Sequence, residues 1–286
     1  MTLAIPGLHH ITAICGDPQR NVDFYTGRLG QRLVKRTVNF DDPGTYHLYY
    51  GDRDGRPGTI LTFFPFAGAQ PGRPGPGMAT TFSYAVASLA EIELDGVEGE
   101  RGEWMGESQV TLTDPDGMKA SLVEGGDGAF HAVRMVVRDA GPTRAVLELM
   151  GYGEYMRDGA AVRMKAAGER APFVDLVEDA DAPAGRSGTG TIHHVAFRAK
   201  TPDDQRAWQS KLRDAGLDVT PVIDRQYFDA IYFREPGGIL FEIATDPPGF
   251  ATDEPVETMG ERLMLPPQYE AMRARIEAAL PPLSVA

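Results

Sequence analysis

Apolar residues along this chain alternate with polar ones in short runs, and glycine, proline or aspartate breaks each run after a few residues. Period-two alternation marks half-buried strands, and brief runs bounded by turn residues favour strands over helices. Leu8 to Cys15 is the first such strand. Asp17-Pro18 then opens a short helix, because Asp can cap and Pro suits the first turn. Val22, Phe24, Tyr25 and Leu29 form its stripe and Gly30 stops it. Three strand-like runs follow, at 32–40, 45–51 and 58–66.

The same order returns three times. After the Gly/Pro-rich connector 67–77 it is weaker: a strand at 81–87, a poor helix at 89–94, and strands at 104–113 and 118–124 around an Asp-Pro-Asp-Gly turn. The acidic stretch from Glu98 to Glu107 reads as a surface loop. A third round has a strand at 130–137, a helix at 139–149 and strands near 154–157, 160–166 and 173–177. Polar, glycine-rich 179–190 reads as a mobile linker. The fourth round has a strand at 191–198, a helix at 205–215 capped near Thr201, and strands at 219–222, 230–233 and 238–245. The tail beyond Pro247 predicts a loop and an amphipathic helix near 268–280. Four copies of a strand–helix–three-strand unit therefore fill the chain. Two such units can join edge to edge into one curved sheet with a concave face. The expected arrangement is two pseudo-domains, residues 1–128 and 129–260, with a tail helix within 261–286.

One carboxylate does not fit its surroundings. After the turn Pro236-Gly237-Gly238, alternation puts Ile239, Phe241 and Ile243 on one face and Leu240, Glu242 and Ala244 on the other. A buried ionised carboxylate needs a cation or strong donors. Ligands for a cation are at hand in His9-His10 and His193-His194; four of the six histidines lie in these two pairs.

Composition narrows the possibilities. The 33 glycines and 22 prolines suit many short strands and turns. A formal charge of −13 argues against nucleic acid and acidic membrane surfaces as partners. No apolar run approaches a bilayer span, and no basic-then-apolar leader opens the chain. One cysteine, Cys15, excludes an intrachain disulfide and fits a reducing, cytoplasmic setting. Cys15 itself reads as a small buried residue.

The repeats resemble the vicinal oxygen chelate superfamily. The local sequences Leu8-His9-His10-Ile11-Thr12, Tyr46-His47-Leu48-Tyr49-Tyr50-Gly51-Asp52, Gly58 to Pro65, and Tyr232 to Gly238 with Asp246 to Phe250 resemble its hydroquinone-cleaving extradiol dioxygenase branch. The resemblance implies an α+β fold, with four βαβββ modules paired into two glyoxalase/bleomycin-resistance/dihydroxybiphenyl-dioxygenase-like domains. It implies a metal held by His10, His194 and Glu242, and a homo-oligomer. Two His and one carboxylate with open positions suit Fe(II), and Mn(II) accepts the same donors. It further implies that Thr12, Arg225, Tyr232, His9 and His193 surround a small aromatic substrate and O2. Strict alternation points His9 and His193 away from the ligand face, so they need a bulge to reach it. His131 is an alternative first ligand, and Ser121 stands at the position of Glu242 in the second unit. Phe63, Phe64, Phe228 and Phe250 are either pocket wall or core. Two other functions share the scaffold: a glyoxalase-type lyase or isomerase, which wants a second carboxylate, and a non-catalytic small-molecule-binding module, which needs no metal triad.

Overall fold

The computed structural model describes residues 3–285. Unit one comprises β1 (Leu8–Cys15), α1 (Pro18–Gly27), β2 (Arg32–Asn39), β3 (Asp42–Gly51) and β4 (Ile60–Pro65). Unit two has strands only: β5 (Met78–Val86), β6 (Gly99–Trp104), β7 (Glu107–Thr113) and β8 (Lys119–Glu124). Unit three is β9 (Phe130–Val137), α2 (Ala140–Leu149), β10 (Gly153–Asp158), β11 (Ala161–Lys165) and β12 (Phe173–Glu178). Unit four is β13 (Thr191–Ala199), α3 (Pro202–Asp214), β14 (Ile223–Asp224), β15 (Phe228–Arg234) and β16 (Leu240–Pro248). The tail carries α4 (Pro267–Glu270) and α5 (Arg273–Ala279), two short helices where one was expected.

Caps explain the helix starts. Asp17, Asp139 and Thr201 each accept a backbone N–H of the first turn through the side chain. The helix expected at 89–94 does not form. Its stretch holds only the i,i+3 contacts Ile92 N–H to Leu89 O and Val97 N–H to Leu94 O. A segment this short cannot repay helix nucleation. Arg101 instead takes the carbonyls of Leu89 and Ile92. The acidic stretch read as a loop contains the edge strand β6, whose hairpin to β7 turns at Met105-Gly106, both at positive φ.

The sixteen strands form two sheets of eight. The first runs β14-β15-β16-β13-β1-β4-β3-β2 and the second β10-β11-β12-β9-β5-β8-β7-β6. Unit one therefore pairs with unit four, and unit two with unit three. The expectation of one sheet in each half of the chain is corrected. The central pairs β1–β13 and β5–β9 are antiparallel, and they are what unites the units.

Each sheet has a helix-covered face. In the first sheet Phe197, Phe241 and Ile243 join Trp208 and Leu212 of α3 in the main core. The opposite face carries a smaller cluster, with Val34, Tyr49, Ala196, Ala230 and Ala244 under Tyr227, Phe228, Phe250 and Met259. Glu242 belongs to this second face by alternation.

Residues 179–190 are not a free linker. Pro71 pairs with Thr189 and Arg73 with Arg186, so the two crossovers between the sheets bind each other. Gly190, at φ +77°, donates its N–H to Ile14 O and leaves only 2.1 Å between a Cβ and Asp116 O. Gly190→Ala should therefore lower stability by roughly 1–3 kcal/mol or more. Gly27→Ala, with open space around it, should be neutral or slightly stabilising. Urea midpoints measure both, and equal midpoints would contradict the tight crossover.

Candidate metal centre

His10 on β1, His194 on β13 and Glu242 on β16 come from three adjacent strands. Ala196 pairs with both His10 and Glu242, and His194 pairs with Thr12. The side chains meet on the inner face. His194 Nε2 lies 2.9 Å from Glu242 Oε2, His10 Nε2 lies 3.3 Å from the same oxygen, and the two nitrogens are 3.4 Å apart. All three residues are buried, and Glu242 is 0 % exposed.

The geometry suits a metal better than a hydrogen-bonded cluster. Neither Glu242 oxygen has a directed donor, despite complete burial. For bonds of about 2.1 Å, cis ligand atoms in an octahedron lie about 3.0 Å apart, and tetrahedral ones about 3.4 Å. The three separations fall close to that interval. Burial alone would raise the Glu242 carboxyl; the attraction of His10 and His194, which acts when an imidazole carries a proton, outweighs it and holds the carboxyl well below the usual carboxylate range. Burial lowers His194 so that it is neutral, with a lone pair to offer.

Two bulges shape the histidine pairs. The β1–β13 register slips once at His9, between the pairs Leu8–Phe197 and His10–Ala196, and once at His193, between Thr12–His194 and Ala13–Ile192. His9 and His193 thus stay beside their neighbours instead of pointing away. His9 Nε2–H donates to Thr245 O at 3.1 Å, which leaves His9 Nδ1 as an acceptor. His10 Nδ1, 2.9 Å away, must then carry a proton, which in the neutral tautomer leaves His10 Nε2 bare. One backbone carbonyl thus fixes the tautomer of His10, a candidate ligand, through His9. His193 sits likewise, Nδ1 to Nδ1 of His194 at 2.8 Å, but it is exposed and no protein group bonds its Nε2.

A cavity of about 300 Å³ opens in front of the cluster. Phe40, Phe64, Phe66, Phe228 and Leu240 supply its apolar wall. Phe63 and Phe250 are core instead. Thr12, Arg225, Tyr232 and His193 all reach it. Arg225 donates to Tyr232 OH at 3.2 Å and to Asp41 at 3.2 Å. Asp41 belongs to the β2–β3 turn, so this pair joins opposite ends of the sheet across the cavity. His47, Tyr49, Asn39 and Asp41 also line it, though the sequence reading assigned them no role. A signal existed for two of them: in Tyr46 to Tyr50, alternation puts His47 and Tyr49 on one face.

Comparison with known proteins settles the family. Residues 7–122 and 124–243 each match the Glyoxalase/Bleomycin resistance protein/Dioxygenase superfamily. The chain belongs to that superfamily. It is 47% identical, over 98% of its length and 97% of the relative's, to a Bacillus subtilis protein that carries the name ring-cleaving dioxygenase MhqO. It is 32% identical to the chlorohydroquinone/hydroquinone 1,2-dioxygenase of Sphingobium indicum, over 94% of each chain. A crystal structure of a Bacillus subtilis protein described as a dioxygenase superposes with a TM-score of 0.95 at 45% identity, covering 100% of this chain and 99% of that one. Glyoxalase I from Zea mays shares the fold at 16% identity and a TM-score of 0.65, over 84% of this chain and 92% of that one.

Within this superfamily member the second sheet answers the same problem differently. Asp175 pairs with Arg134 and Arg163 as Glu242 pairs with Ala196 and Tyr232. The histidine positions hold Thr81 and Ala132, and His131 falls at the bulge, matching His193 rather than His194. Arg163 fills the place of a cation. It donates to both Asp175 oxygens, at 2.7 and 3.0 Å, and to Glu107. His131 bonds Glu107 at 2.8 Å, so the alternative first ligand lies in the other sheet.

Two outcomes follow for the histidines. Burial holds His9, His47 and His194 below their unfolded pKa of about 6.5. Below that pH the unfolded chain binds protons that the folded one refuses, so stability present above it is lost as pH falls. Glu242, depressed when folded, adds a further loss below about 4.5. The urea midpoint of metal-free protein should fall steadily from about pH 7.5 to about pH 5; a flat profile would refute the buried neutral set. His9→Phe keeps a ring but removes the acceptor for His10. Co(II) affinity should drop about 10–100-fold in an optical titration, with the fold intact. An unchanged affinity would make His9 mere packing.

Proposed function

We propose that this chain is an Fe(II)-dependent extradiol-type dioxygenase that opens hydroquinone-like aromatic rings with O2. The chain is an enzyme of the ring-cleaving dioxygenase kind, like its named relatives. The observation that carries the finer reading is the pair of bare histidine nitrogens and the donor-less carboxylate beside a ring-sized, aromatic-walled cavity.

His10, His194 and Glu242 would hold the metal by one face, with its other positions toward the cavity. A bound Fe(II) would supply Lewis acidity toward a ring hydroxyl and electrons for O2. The remaining chemistry falls to the protein. Phe40, Phe64, Phe66 and Phe228 exclude water and orient a ring. Arg225 cannot lose its proton, so it stabilises a phenolate or the charge that develops during oxygen attack. Tyr232 stays protonated because burial raises it, and its hydroxyl is available to the same oxygens. Arg225 stacks over the Tyr232 ring and holds it in place. His193 presents Nε2–H at the mouth.

The lyase or isomerase reading wants a second carboxylate. In unit one the last-strand position that corresponds to Glu242 is Thr62, hydrogen-bonded to Thr12. A pure binding module would not need the bare triad.

Glu242→Gln tests the assignment. It preserves size and removes the charge, leaving two neutral imidazoles to face a divalent cation. Anaerobic reconstitution with Fe(II), followed by oxygen uptake with hydroquinones and catechols, should give about one O2 per ring opened in wild type. The variant should lose most of its iron and at least about 100-fold in rate. Iron-loaded wild type that consumes no oxygen with any such ring would end the proposal. A variant with full iron and full rate would make Glu242 structural.

A further inference from the structure

His47 is tied to the metal side of the cavity by an unbroken hydrogen-bond chain. Its Nε2 lies 2.8 Å from Thr62 Oγ1, and Thr62 Oγ1 lies 2.9 Å from Thr12 Oγ1. Its Nδ1 lies 2.8 Å from Tyr49 OH. Thr12, Thr62 and Tyr49 are direct cross-strand partners on β1, β4 and β3, so the sheet itself aligns the row. Thr12 stands two residues from His10 on the same strand face and lines the cavity. The His47 ring is clamped between Tyr49 and Phe64, at centroid distances of 4.0 and 4.2 Å.

We propose that His47 is the far end of a proton relay, receiving through Thr62 and Thr12 the proton of a ring hydroxyl bound in the cavity. The inference rests on the cavity being a phenol site. The phenol O–H bond breaks and a new O–H bond forms at Thr12 Oγ1. The proton Thr12 held passes to Thr62 Oγ1, and the proton Thr62 held forms an N–H bond at His47 Nε2. Phenol becomes phenolate, neutral imidazole becomes imidazolium, both threonines remain hydroxyls, and no electrons change hands.

The neighbours suit this role. Both partners of the ring are hydroxyls, which donate or accept as needed, so protonation orphans neither bond. With Nε2 as the accepting nitrogen, Nδ1 carries the hydrogen and donates to Tyr49 OH in both states of the relay. The charged and titratable groups facing His47 are Tyr49 on its own strand, His10 from β1, His194 from β13, Arg225 beside β14 and Glu242 from β16. Burial keeps the imidazole neutral before a ligand binds, and the negative charge of a phenolate in the cavity is what would stabilise its imidazolium. Other acceptors on the wall are committed. His193 Nδ1 takes His194, and Asp41 is 75 % exposed and paired with Arg225.

The test needs no turnover. Protein labelled with ¹⁵N-histidine is loaded with Zn(II), which has no redox chemistry, and titrated with 4-nitrophenol near pH 6. The phenolate absorbance reports loss of the proton, and the ¹⁵N shift of His47 Nε2 reports where it goes. The expected result is a bound phenolate with His47 as imidazolium. In Thr62→Val, which keeps shape but cuts the chain, His47 should stay neutral and the phenolate fraction should fall about tenfold. Phenolate bound with His47 unchanged overturns the relay while sparing the phenol site. No binding of nitrophenol at all overturns the phenol site, and the relay with it. In the Fe(II) enzyme, Thr62→Val and His47→Gln should lower kcat about 100-fold with normal iron content, and shift the acid limb of the kcat–pH profile. An unmoved profile leaves His47 only packing.

Discussion

A negative charge buried on the inner face of a β-sheet must be matched, and both sheets of this protein are arranged around that demand. Glu242 is taken wholly from water, where an ionised carboxylate is unstable without a cation or donors. The first sheet surrounds it with two imidazoles, an arrangement that in the proposed function an exchangeable cation completes. The second sheet places Asp175 at the matching register and neutralises it with Arg163, a cation that cannot leave. Trp104 adds a donor to Asp175 and stacks under Arg134, closing that face with protein groups. The two sheets share strand order and the bulge positions of their central strand pairs. They differ in that the second sheet carries a built-in cation, Arg163, at this register.

Much of this was readable from the residues because it is locally encoded. Alternation and caps are short-range signals, and β1, α3 and the helices at Asp17 and Asp139 follow them. β6 lacked that signal. Its sequence, Gly-Glu-Arg-Gly-Glu-Trp, has no apolar face because an edge strand pairs on one side only. The union of unit one with unit four was hidden for a different reason. Nothing near His10 says that its strand partner lies beyond residue 190.

The candidate site divides along the same line. His10, His194 and Glu242 stand out as a histidine in each pair and an acid in an apolar strand. Arg163 and Asp175 carry the same kind of signal, polar groups inside apolar β11 and β12, but without a histidine pair nearby to draw it out. His47, Thr62 and Thr12 look ordinary one at a time. Their relation appears only when β1, β4 and β3 are set side by side. His9 and His193 depended on bulges, which a strict alternation rule cannot anticipate.

The pairing of first and last units also governs the order in which the molecule can be made. All strands of the second sheet lie between Met78 and Glu178, so they emerge before β13 does. β1 leaves the ribosome first and waits longest, with one edge unpaired. The second sheet shortens that wait in space. Its two crossovers meet at Pro71 and Thr189, so once it folds, the chain entering β13 is already held beside the chain leaving β4. A closure spanning most of the sequence becomes a local one, at a much smaller entropy cost. Until then a growing chain exposes His10 without His194 or Glu242, and the candidate metal set is incomplete.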